Sequence, residues 1–173
     1  MVDPNPDENL TQEEKQKIFE EARAPVNLIY KELEEIRQRL NEEKFTGEEC
    51  DLNEKHKEIY NKWKVAMKNA AKDIFERINS KGIKNILVDR KEVFCVDFHG
   101  LFVDEAKEVF SEFILPLLDV AKQIMIITGR GMHSQSGKSI LKEAILEYLT
   151  FMNIKFKPVA NNEGVIYIFS DHF

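Results

Sequence analysis

At 173 residues, with 43% hydrophobic and 32% charged side chains, the chain can bury one ordinary core or two small ones and is too polar to sit within a membrane. Its formal net charge of −6, from 25 basic against 31 acidic residues, argues against a protein that coats nucleic acid through a broad basic surface. No apolar run approaches the roughly 18 residues of a membrane-spanning helix, and the acidic amino terminus resembles neither a secretory signal nor an Arg-rich transit peptide, so a cytoplasmic or nuclear location is expected.

The first half reads as helix. Thr11 and Glu14 form a capping-box pair at a helix start. Pro25 must either kink that helix or open a second segment, because it has no N–H and clashes with the preceding turn. Beyond it Val26, Ile29, Leu33, Ile36 and Leu40 make one apolar stripe. Phe45-Thr46-Gly47 has the character of a turn. A second stripe follows, from Leu52 through Ile59, Trp63, Ala66, Ala70 and Ile74 to Ile78, with Gly82 as a helix stop. Two stripes joined by a short turn predict an antiparallel helical hairpin whose apolar faces pack on each other. Cys50 and Cys95 have no partner at metal-ligand spacing and are expected to be reduced.

Charge density falls after about residue 80 and the period changes. Glu92–Val96 and Gln123–Ile127 are strand-like runs, each followed by a helical pattern, the first over about 103–120 and the second over about 137–153. The stretches 154–156 and 165–169 are two further strands, joined by the turn-forming Asn161-Asn162-Glu163-Gly164. The order β-α-β-α-β-β predicts a two-layer α/β domain with parallel pairing across right-handed crossovers and a closing antiparallel hairpin. The expected division is a helical hairpin over 1–85 and an α/β domain over 86–173.

In such a sheet, ligands gather beyond the carboxyl ends of the parallel strands. Two loops fall there, Asp97-Phe98-His99-Gly100-Leu101 and Thr128-Gly129-Arg130-Gly131-Met132-His133-Ser134. Asp97 and His99, two residues apart at a strand end, project to one face, where the carboxylate can orient an acid–base imidazole. The plainer alternative is that Asp97 caps the next turn and His99 is an ordinary loop residue. Gly129 and Gly131 let the backbone approach a ligand, the following helix start adds amide donors, and Arg130 brings a phosphate-shaped fork. A tight turn with a surface arginine is the alternative there. Gly131-Met132-His133-Ser134-Gln135-Ser136-Gly137-Lys138-Ser139 also approximates a nucleotide-binding P-loop. It has five residues between the glycines where that motif requires four, which displaces the amide cradle.

Together the two loops resemble the signature pair of the small MutS-related (Smr) domain: Val96-Asp97-Phe98-His99-Gly100 is similar to its Leu-Asp-x-His-Gly motif, and Thr128 through Ser134 to its Thr-Gly-x-Gly-x-His-Ser motif. The likeness covers about residues 92–170. Leu52–His56 and Ala70–Phe75 look like the helical domain of unknown function that often precedes Smr domains. The resemblance implies a fold like the carboxy-terminal domain of translation initiation factor three and endonuclease activity on RNA or DNA. Other members of the family mainly bind nucleic acid, and some act on messenger RNA at stalled ribosomes. The family's functional positions fall on Asp97, His99, Arg130 and His133, with Gly129, Gly131 and Ser134. Phe102 departs from the family's usual hydroxyl residue, leaving Asp104 to favour the helix start only through the dipole, and Phe98 replaces a common leucine.

The expected reaction is phosphodiester cleavage, with Asp97 holding His99 as base, His133 as acid, and Arg130 and the glycine amides stabilising the transition state. No three carboxylates converge on the loops, so no two-metal site and no metal ligand set is predicted, and a single Mg²⁺ is left open. The alternative is a nucleic-acid- or ribosome-binding module using Arg130, Lys138 and Lys142 without cutting. A third possibility is that the helical hairpin docks a protein partner. Given the negative total charge, binding is expected to rest on the local patch of Arg130, His133, Lys138 and Lys142, with a shallow salt slope.

Overall fold

The computed structural model describes residues 10–42, 49–80, 84–88, 91–129, 139–159, 162 and 164–170, without the side chains of residues 49, 84–88, 91 and 92. Helix α1 (Gln12–Glu42) opens on the expected capping box: Thr11 N–H donates to Glu14 Oε2 at 2.7 Å and Glu14 N–H donates to Thr11 Oγ1 at 3.1 Å. Pro25 lies inside this single helix and does not begin a second segment. Helix α2 (Glu49–Ile78) packs back along it. The expected turn at 45–47 and the stop at Gly82 lie outside the described residues.

The hairpin has two different ends. Leu33, Ile36 and Ile59 close on one another with Ile29 and Leu40 at their edge. Nearer the sheet, Ile18, Ala22 and Val26 of α1 and Ala70, Ala71, Ile74 and Phe75 of α2 join the main core instead. The apolar stripes therefore do more than pack on each other, since their proximal halves also cover the sheet.

That sheet has five strands in the order β1-β2-β3-β5-β4. Strand β1 (Lys84–Val88), which hydrophobic patterning does not predict, pairs antiparallel with β2 (Lys91–Asp97). The residue-85 division therefore falls within β1. Strands β2 and β3 (Gln123–Ile127) are parallel, placing Asp97 level with Ile127. Strand β5 (Val165–Phe169) runs antiparallel between β3 and β4 (Lys155–Pro158). The helical region is thus followed by a mixed sheet with helices, as expected.

Alternation along the strands sorts side chains onto two faces. Val96, Ile124, Ile126, Ile166 and Ile168 enter the main core, whereas Val93, Cys95, Met125 and Val165 form a smaller cluster. Against the main core pack α3 (Val103–Val109), a π-helical turn (Phe110–Ile114), α4 (Leu115–Val120) and α5 (Ile140–Phe151). The π turn interrupts what reads as one helix over 103–120. In it Leu115 N–H reaches back to the Phe110 carbonyl, and the wider turn leaves both Phe110 and Ile114 fully buried. Val120 and Ile140, apolar residues within the two expected helical stretches, are exposed where helices end and begin.

Helix α1 is fastened to the start of α3 by an ion pair. Arg23 grips Glu105 through both guanidinium nitrogens at 2.5 Å and also donates to the Gly100 carbonyl at 3.2 Å. Its guanidinium lies 4.3 Å from the Phe102 ring centroid. Glu105 in turn accepts the Phe102 N–H at 2.9 Å, the N3 half of a capping box whose N-cap half a phenylalanine cannot make. Both partners are largely buried. Arg23→Met is therefore expected to cost about 3–5 kcal/mol by stranding Glu105. The Arg23→Met/Glu105→Met double variant should recover part of that loss, as chemical denaturation would measure.

Candidate active site

Asp97 ends β2, and its backbone is bracketed by a side chain of the helical region. Asn79 Oδ1 accepts the Asp97 N–H at 2.9 Å, and Asn79 Nδ2 donates to the Asp97 carbonyl at 3.0 Å. Asn79 also donates to the Phe75 carbonyl at 2.8 Å, tying this clamp to the end of α2. Beyond Asp97 the chain turns: Phe98 is fully buried and its N–H donates to the Ile127 carbonyl at 2.9 Å. The buried phenylalanine fixes the two polar residues that flank it on the opposite side.

The carboxylate is held by both oxygens. Oδ1 accepts the His99 backbone N–H at 2.8 Å and lies 2.5 Å from His99 Nδ1. Oδ2 accepts from Lys15 Nζ at 2.7 Å, a contact delivered from the first turn of α1. A carboxylate beside Nδ1 favours the proton on that nitrogen, which leaves the Nε2 lone pair available when the ring is neutral. Burial pushes the Asp97 carboxyl up. The hydrogen bond and charge of His99, followed by Lys15, outweigh it and hold the group below its ordinary value.

Gly100 and Gly129 complete the geometry. Gly100 has φ 81°, and a Cβ there would collide with the Phe19 ring of α1. Gly129 has φ 78°, and a Cβ there would lie 2.8 Å from His99 Nε2. The second motif thus enters its loop directly beside Nε2 of the imidazole. Its base is closed by Ser139, whose hydroxyl donates to the Thr128 carbonyl at 3.3 Å and, as cap of α5, accepts the Lys142 N–H at 3.2 Å. Thr128 N–H donates to the Gly164 carbonyl at 2.8 Å.

The structure therefore brings Asp97, His99 and Gly129 together and places Lys142 in the first turn of α5. Arg130, Gly131, His133, Ser134 and Lys138 lie outside the described residues. Lys15 and Asn79 do not stand out in the sequence. The only signal is that Lys15, Phe19 and Arg23 recur every four residues along one helix face, without indicating what that face meets. Among the described residues, no group of three or more His, Cys, Asp or Glu is placed to hold a metal ion, and no helix is long and apolar enough to cross a membrane.

Residues 96–168 match the family model described as the Smr domain. Human NEDD4-binding protein 2 is 34% identical over 105 residues, which are 57% of this chain and 5% of that protein. Endonuclease NBR9 of Saccharomyces cerevisiae is 35% identical over 72 residues, 41% of this chain and 30% of that one. The chain thus spans a small part of the first relative and under a third of the second. The solution structure of the B3BP Smr domain aligns at 29% identity over 60% of this chain and 95% of its own, with a TM-score of 0.43.

Two outcomes follow from the site. Gly129→Ala should cost about 1–2 kcal/mol through its left-handed backbone and push the imidazole away from Asp97, visible as a shifted His99 ring resonance. Because the folded-state carboxyl of Asp97 is depressed, its stabilisation is complete above the unfolded-state value and is lost as pH falls through the folded-state value. Asp97→Asn should remove this acid-side component from unfolding curves recorded across the acidic range.

Proposed function

Residues 96–168 are an Smr domain, and from that premise we propose that the chain is an endonuclease cleaving phosphodiester bonds of RNA or DNA. The observation that carries this reading is the Asp97–His99 pair with Nε2 beside Gly129. A relative named as an endonuclease, NBR9 of yeast, points the same way. His99 takes a proton through Nε2 from the attacking hydroxyl, which is water or, in RNA, the neighbouring 2′-hydroxyl. The phosphorus–oxygen bond to the leaving group breaks, and His133 gives that oxygen a proton. Arg130 and the amides of Gly129 and Gly131 stabilise charge on the phosphoryl oxygens. Ser134, Lys138 and Lys142 position the backbone of the nucleic acid.

This reaction is read without a metal. Mg²⁺ seeks carboxylate oxygens and water, and at Asp97 one oxygen is held by an ammonium and the other by an imidazole. The donor set therefore does not suit a divalent cation. Cleavage should persist in excess chelator, and strict dependence on added Mg²⁺ would overturn the histidine route.

The decisive experiment is a survey of labelled single-stranded, nicked and hairpin RNA and DNA with the purified chain. Loss of a positioned base costs about 10²–10⁴-fold in rate. His99→Ala should therefore lose cleavage by that factor while retaining substrate affinity. Affinity without product in the wild-type chain would instead identify a binding module, for nucleic acid or a ribosome.

A further inference from the structure

A lysine buried against a carboxylate at the edge of a site requires a reason, because stripping water from an ammonium is costly unless its new partner is well placed. Lys15 is such a residue. Its side chain is 12% exposed and that of its partner Asp97 15% exposed. Nor is its position incidental. The capping box at Thr11 and Glu14 fixes the start of α1 one turn earlier, Phe19 seats on Gly100, and Arg23 clasps Glu105. Residues 15, 19 and 23 form one helix face, applied along the loop that runs from Asp97 to the start of α3.

We infer that Lys15 is a positioning residue for the Asp97–His99 pair, so that the helical region supplies a working part of the site and not only a neighbour to it. This inference rests on the endonuclease reading for its kinetic consequences and on geometry alone for its structural one. By engaging Oδ2, the ammonium turns Oδ1 toward His99 Nδ1 and keeps the carboxylate ionised while that oxygen orients the ring. Lys15 therefore holds Asp97 as the ionised acceptor that sets the ring of His99. Among the described residues, the charged groups facing Asp97 are Lys15 from α1 and His99 from its own loop. The turn that follows α2 presents only the neutral Asn79.

The test uses the full chain with Lys15→Met, Lys15→Gln as a second neutral variant should the first fold poorly, and Lys15→Arg to restore the charge. Lys17→Met is the control, since it removes a cation from an exposed position in the same stretch of α1 without touching Asp97. Removing the cation should move the acid limb of the pH–rate profile to higher pH by about one unit, the order of shift a neighbouring charge produces. On the acid side this reads as about a tenfold loss in kcat with KM unchanged. Lys15→Arg should recover most of it, and Lys17→Met should leave the limb in place. The coupled titration of the Asp97–His99 pair, followed by NMR through the His99 ring, should move in the same direction whether or not the chain cleaves anything. A shifted titration in a chain that cuts no substrate would retain the role of Lys15 and discard the endonuclease reading. An unshifted titration and limb in the neutral variants would overturn the role of Lys15, as would a raised KM at unchanged kcat, which would place the ammonium on substrate.

Discussion

The Asp97 carboxylate is the point at which three stretches of chain meet. Its backbone ends a strand and is clasped by Asn79 from the turn after α2, one oxygen orients the ring of His99, and the other takes the ammonium of Lys15. Each contact limits where the others can be. If the strand end moved, the imidazole would lose its partner, and if α1 moved, a buried carboxylate would lose its cation. Phe98 reinforces the arrangement from below, since a fully buried ring between Asp97 and His99 leaves the turn little freedom.

The glycines of the two motifs answer to different neighbours. Gly129 leaves room for the imidazole of His99, so its role lies within the site. Gly100 leaves room for Phe19, a side chain of the helical region. A glycine that reads from sequence as a loop requirement is thus also a docking requirement for α1. The same face carries Arg23 onto Glu105, the acid that also receives the Phe102 N–H at the start of α3. An unfavourable residue at the start of α3 and an ion pair to a distant helix are one local solution.

Much of this was legible in the sequence, and the limits have physical causes. The strand runs at Val93–Val96 and Gln123–Ile127 are strongly apolar, and the motif loops follow them directly, so the relation between Asp97, His99 and Gly129 could be read from short-range pattern. Strand β1 could not, because Lys84 and Asn85 dilute its apolar character and its pairing with β2 supplies the order. The π turn depends on how Phe110 and Ile114 both reach the core, a matter of packing more than of period. Lys15 and Asn79 were invisible as site residues because their partners lie far along the chain, and a lysine on a charged helix resembles any solvated lysine until the tertiary contact is known. Val120 and Ile140 show the reverse error, apolar residues that fit a stripe yet lie at helix ends facing water.

Lys15 to Asp97 and Arg23 to Glu105 span the same separation, 82 residues. The entropy of closing a loop that long is charged chiefly to whichever contact forms first, and grows only slowly with length. Because α1 is rigid between residues 15 and 23, making either pair brings the other within reach at little further loss of chain freedom. Assembly of the site is therefore a long-range event tied to the arrival of the first helix on the sheet. A chain whose sheet has formed but whose α1 has not yet docked would carry the motif loops without the ammonium on Asp97.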